Sequence, residues 1–117
     1  KTESPQSQIA QLASQISASE EDALRRQLAQ CWNVMAGAKF AEELVVEVRV
    51  TVSPNRVVQE ATILDQARYN LDSHFRAAAD SALRALRNPK CTPLELPPEK
   101  YEQWKTTVIR FDPRAML

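Results

Sequence analysis

Hydrophobic and polar residues alternate most regularly from Leu44 to Val52, LVVEVRVTV. Val46, Val48, Val50 and Val52 fall on one side of an extended chain, with Glu47, Arg49 and Thr51 on the other. A period of two in β-branched residues predicts a strand with one buried face. Ser53-Pro54-Asn55-Arg56 reads as a turn, with Pro presetting φ at the second position and Asn tolerating positive φ at the third. Val57 to Leu64, VVQEATIL, returns as the hairpin partner. Its facing is ambiguous, because Val57, Ala61 and Ile63 compete with Val58 and Leu64; the reading adopted buries Ala61 and Ile63. A third strand, Lys105 to Asp112, sets Thr107, Ile109 and Phe111 on one face and Thr106, Val108 and Arg110 on the other.

Two stretches carry helical spacing instead. Ser19 supplies an N-cap hydroxyl, and Glu20, Glu21 and Asp22 place negative charge in the first turn, where the helix dipole favours it. Leu24, Leu28, Cys31 and Trp32 then form one stripe, ending near Asn33, with Gly37 in the loop that follows. Asp72 caps a second helix, Ser73 to Arg87, whose apolar face is Phe75, Ala79, Ala82, Leu83 and Leu86. Its many alanines keep it slim, and Arg76, Asp80 and Arg84 read as a solvated ion-pair ladder. Pro89 stops it. Residues 88–98 form a stiff, proline-rich connector, and one helical turn is expected at 99–103 with Pro98 at its start. Residues 1–18, rich in Gln and Ser, read as a flexible linker with at most a helical turn near Ile9–Ile16, and 114–117 as a short tail.

The order helix, strand, strand, helix, strand fixes an α+β fold. The hairpin makes the first two strands antiparallel. The second helix, about 15 residues or roughly 22 Å long, carries the chain back along the sheet. A wholly antiparallel three-stranded sheet then requires strand order 2-1-3, with both helices on the valine face. The domain spans 19–113, and its last strand is left as an edge with unpaired backbone groups.

Composition narrows the chemistry. The chain has 117 residues, which suits one domain, and 15 basic residues balance 15 acidic ones. Zero net charge offers no field to attract nucleic acid or an anionic membrane. A single glycine leaves no phosphate-cradling loop. No apolar run approaches the ~20 residues that span a bilayer, and no signal-peptide pattern is present. Starting at Lys1 rather than Met, the sequence reads as a piece of a longer chain with any anchor upstream. His74, the one histidine, lies in the first turn of the second helix, where a surface or capping role outweighs that of a general base. Cys31 has no histidine near it in sequence. Trp32 and Trp104 are candidates for a ligand platform or for the core edge. No cofactor or metal set has the right spacing, and the chain reads as a binding module rather than an enzyme. Cys31 and Cys91 are either a disulfide or two buried thiols.

The segments ALRRQLAQCWN, LVVEVRVTV–SPNR–VVQEATIL, FRAAADSALRAL, NPKCTPLELPPEKYEQWK and TTVIRFDP together resemble the C-terminal domain of TolA, in the version found in alphaproteobacterial TolA-like proteins. The resemblance covers roughly Asp22 to Leu117 and rests on five segments in order rather than on one short motif. The C-terminal domain of TonB shares the fold. Val34-Met35 stand where Pro is expected after Cys-Trp-Asn, and the hairpin turn lacks its usual Gly. The resemblance implies a periplasmic domain of the Tol–Pal system, anchored through upstream regions in the inner membrane beside TolQ and TolR. It also implies binding to TolB or other Pal-side proteins in support of envelope integrity and division, and use by colicins or filamentous phage. That compartment implies a Cys31–Cys91 disulfide. The expected binding edge is Thr106, Thr107, Val108, Ile109, Arg110 and Phe111, by addition of a partner strand. The alternatives are a TonB-like transducer that engages outer-membrane receptors and a structural module that pairs with itself.

Overall fold

A computed structural model of the chain describes residues 16–33 and 43–116. The elements are α1 (Ala18–Ala29), β1 (Val46–Val52), β2 (Val58–Ile63), α2 (Gln66–Leu71), α3 (Ser73–Ala85), α4 (Tyr101–Trp104), β3 (Thr106–Phe111) and α5 (Pro113–Met116). Short 3-10 turns lie at Pro89–Cys91 and Pro98–Lys100. The fold is α+β, with an antiparallel sheet in the order β2-β1-β3, as the element lengths required. The suggested turn near Ile9 and the loop at Gly37 lie outside the described residues.

β1 is the centre of the core. Val46, Val48 and Val50 are wholly buried, and Val52 is nearly so, beneath α3. Ala78, Ala79, Ala82 and Ala85 of α3 are buried too, so small side chains let the helix approach the valines closely. On the opposite face Glu47 and Arg49 are exposed and no described element covers them. The sheet therefore has one buried and one open face, the usual reason for clean alternation in an antiparallel strand.

β2 explains its ambiguous pattern. Val52 pairs with Val58 but Thr51 pairs with Glu60, so Gln59 is an extra residue in a β-bulge. The bulge shifts the parity: Val58 packs on the core, and so do Ala61 and Ile63. Positive φ in the hairpin falls at Arg56 (φ 68°), not at Asn55. Arg56 N–H donates to the Ser53 carbonyl at 2.8 Å and Ser53 N–H to the Val57 carbonyl at 2.9 Å. This is a three-residue loop closed by a left-handed residue, one position later than expected.

The helix starts differ from expectation at one site. Ser17, not Ser19, caps α1: its hydroxyl accepts from Glu20 N–H at 3.2 Å, and Ser17 N–H donates to Glu20 Oε1 at 2.7 Å. That reciprocal capping box satisfies two amide donors, while Asp22 is engaged by Arg25 and Arg26 instead. Ile16 just before it packs against the core. Asp72 caps α3 as expected, accepting from the amides of His74 and Phe75. Arg76 and Asp80 do not form the expected ladder, because α2 intervenes. Arg76 donates to the carbonyls of Tyr69 and Asn70, and Asp80 accepts from the Tyr69 hydroxyl at 2.7 Å. The chain after Asp112 is not a plain tail: it coils as α5 and buries Pro113 and Met116.

Candidate protein-docking edge

The direction of β3's backbone groups follows from two hydrogen bonds. Val52 N–H donates to the Lys105 carbonyl at 2.8 Å, and Leu64 N–H to the Glu47 carbonyl at 3.1 Å. Backbone groups of successive strand residues point to opposite sides. The even residues of β1 therefore face β3 and the odd ones face β2. With Val50 opposite Thr107 and Val48 opposite Ile109, Thr107, Ile109 and Phe111 bond inward to β1. Thr106, Val108 and Arg110 turn their N–H and C=O groups outward, where no described residue bonds them. β2 is also an edge, but only Ala61 and Ile63 point outward before its bulge breaks the register. β3 offers three outward residues in unbroken register.

α1 and α5 flank the β3 edge. Between them and the strand lies a groove of about 210 Å3 with Leu24, Leu28, Ile109 and Met116 on its walls. Small-molecule sites run to roughly 300–1,000 Å3, so the groove suits a side chain or two better than a ligand. Glu21, Arg25 and Arg110 rim it. Arg25 is paired with Asp22 at 3.1 Å. Arg110 lies 3.8 Å from Glu47 and 3.6 Å from Asp112, too far for hydrogen bonds, and its side chain is 54% exposed.

The groove walls are held by named contacts. Gln27 of α1 donates to the Pro93 carbonyl and accepts from Glu95 N–H, both at 2.8 Å, as a neighbouring strand would. Glu20 pairs with Lys100 at 3.0 Å. The Ser17 amide, then Lys100, hold the Glu20 carboxyl below its ordinary pKa. A disulfide joins Cys31, just past α1, to Cys91 in the connector. Trp32 Nε1 donates to the Ala78 carbonyl at 3.0 Å, and its ring meets Phe111 edge-on at 5.4 Å. On the other wall, Asp112 accepts from Arg114 N–H at 3.0 Å, starting the turn that buries Met116. Partial burial opposes the Asp112 charge, but that amide and the Arg114 and Arg110 guanidiniums hold its pKa below the ordinary value.

The remaining candidates fall elsewhere. Trp32 and Trp104 are both buried, at 3% and 0% exposure, so neither forms a ligand platform. Trp104 Nε1 donates to the Pro97 carbonyl at 2.7 Å. His74 is exposed, with Nδ1 4.0 Å from an Asp72 carboxylate already spent on capping α3. Glu20 and Asp22 are likewise engaged, in the capping box and with Arg25 and Arg26. No group of metal-binding side chains converges, and no helix is long and apolar enough to cross a membrane, among the described residues. The strand is legible in the sequence and the groove is not, because its Met116 wall depends on a four-residue turn too short to show periodicity. No family model, curated protein or solved structure matches the chain.

Proposed function

We propose that this chain is a periplasmic protein-binding domain of a TolA-like component of the Tol–Pal system, and that it takes an extended segment of an outer-membrane-side partner such as TolB onto β3. In this reading, upstream regions link it to TolQ and TolR in the inner membrane. The observation that carries the binding half is the outward backbone of Thr106, Val108 and Arg110 beside the α1–α5 groove. Backbone pairing supplies affinity in such strand addition, and pockets for alternate side chains supply selectivity. Two further features support the assignment: the five sequence segments named above, and the Cys31–Cys91 disulfide, a bond that persists in oxidising compartments.

The test is Val108→Pro, measured for TolB binding by titration calorimetry. Val108 N–H has no described partner, so proline removes an edge donor without breaking the β1 ladder. Affinity should fall at least tenfold in a variant that keeps its fold. Undiminished binding by a folded variant would sink strand addition, and no TolB binding by the unsubstituted chain would remove the partner. A dimer in sedimentation that Val108→Pro dissolves would instead favour self-pairing.

A further inference from the structure

Strand addition at β3 leaves open which sequence is added. We infer that the docking edge selects a partner segment with a bulky apolar residue directly beside an acidic one, the apolar side chain entering the α1–α5 groove and the carboxylate meeting Arg110. The inference rests on the docking reading above and deepens it.

Val108 and Arg110 point their backbone groups at the added strand and their side chains to the open face of the sheet. Partner residues opposite them point to that same face. The partner residue between these two, opposite Ile109, points to the helix side, where the groove lies. Leu24, Leu28, Ile109 and Met116 present apolar surface there, and the Glu21 carboxylate at the rim disfavours a second acid. A bulky neutral side chain fits that position.

The position opposite Arg110 has different chemistry. Its guanidinium is half-exposed and sits near two carboxylates without hydrogen-bonding either. Its N–H groups can donate to a partner carboxylate in a paired geometry that Glu47 and Asp112 do not achieve. The partner residue opposite Val108, which is 44% exposed, gains most from a β-branched side chain. Three successive partner residues therefore read β-branched, bulky apolar, acidic along a parallel added strand, and acidic, bulky apolar, β-branched along an antiparallel one.

The experiment selects a random nine-residue display library against the full 117-residue chain, with Val108→Pro, Leu24→Asp and Arg110→Gln as counter-targets. The expected clones carry adjacent apolar and acidic residues and lose binding to Val108→Pro. Synthetic peptides of the selected sequence should bind Leu24→Asp about tenfold more weakly, the equivalent of losing one buried apolar side chain. Arg110→Gln, on the open face, should abolish the preference for the acid while leaving the apolar preference intact. Clones that depend on Val108 yet show no apolar–acidic pair overturn this inference and leave strand docking standing. Clones indifferent to Val108→Pro overturn both. Leu24→Met, which keeps an apolar wall, should retain binding and separates groove chemistry from any loss of folding in Leu24→Asp.

Discussion

Asp72 shows how much a single side chain carries in this fold. It follows α2 directly and caps α3, and its carboxylate takes the amides of Phe75 and His74 while Arg68 lies 3.4 Å away. The Phe75 amide is the largest influence lowering its pKa from the ordinary 3.8, with Arg68 and the His74 amide adding to it. The sign follows: a carboxylate with a lower pKa folded than unfolded stabilises the fold above the unfolded value, and that contribution is lost as pH falls through the folded one. Glu20 and Asp112 shift the same way. Stability should hold from neutral pH down to the ordinary carboxylate range, then drop below about pH 4. Asp72→Ala should lower the urea midpoint at pH 7, and the gap from the unsubstituted chain should be narrower at pH 3. An equal gap at both pH values would mean that the charge does not matter. The Asp72 cap was legible because a short polar residue precedes a long apolar stripe. The cap of α1 was harder, since Ser17 and Ser19 are both followed three residues on by an acid. Only the backbone decides which serine turns extended.

The elements differ in how far their sequences announce them. β1 and β3 alternate without interruption, so their buried faces could be read directly. β2 could not be resolved by period, because the bulge at Gln59 places Val58 and Ala61 on one side despite their odd spacing. α2, with six residues and none buried, offers no periodic stripe and was missed. The connector was read as extended, and Pro89–Cys91 departs from that as a 3-10 turn; beyond it Leu94 and Leu96 are buried and Leu94 N–H donates to the Arg56 carbonyl at 2.9 Å. Tertiary contact, not local propensity, shapes it. The disulfide tests this element directly. It closes a separation of 60 residues between α1 and the connector, which the chain-entropy account values at about 4 kcal/mol. Cys31→Ser with Cys91→Ser should lower unfolding free energy by about that amount in urea titration, and reductant should act on the native chain alike. A loss well under 1 kcal/mol would show that Gln27, Glu20 and Trp32 hold α1 without it.

At the scale of the whole molecule, the stability core and the docking edge occupy different parts of one sheet. The core lies where α3 crosses β1, with Ala82 wholly buried over the valines. The edge lies on β3, whose outward residues Thr106, Val108 and Arg110 are all exposed. This division was readable in outline, because a valine face, an alanine helix and an antiparallel order of 2-1-3 leave β3 at the margin. The groove beside it was not, since it arises from α1, β3 and α5 meeting across most of the chain. The separation predicts that stability and binding respond to different substitutions. Ala82→Leu adds three carbons where α3 already touches β1, and overpacking of that kind costs about 1–3 kcal/mol. Its unfolding midpoint should fall accordingly, while affinity for a β3-docked segment stays within about twofold at temperatures where it remains folded. Val108→Pro should do the reverse, costing affinity more than stability. Paired denaturation and titration of the two variants decide it. If Ala82→Leu weakens binding as much as Val108→Pro, then the position of α3 governs the edge through β1, and the sheet transmits strain rather than dividing its labour.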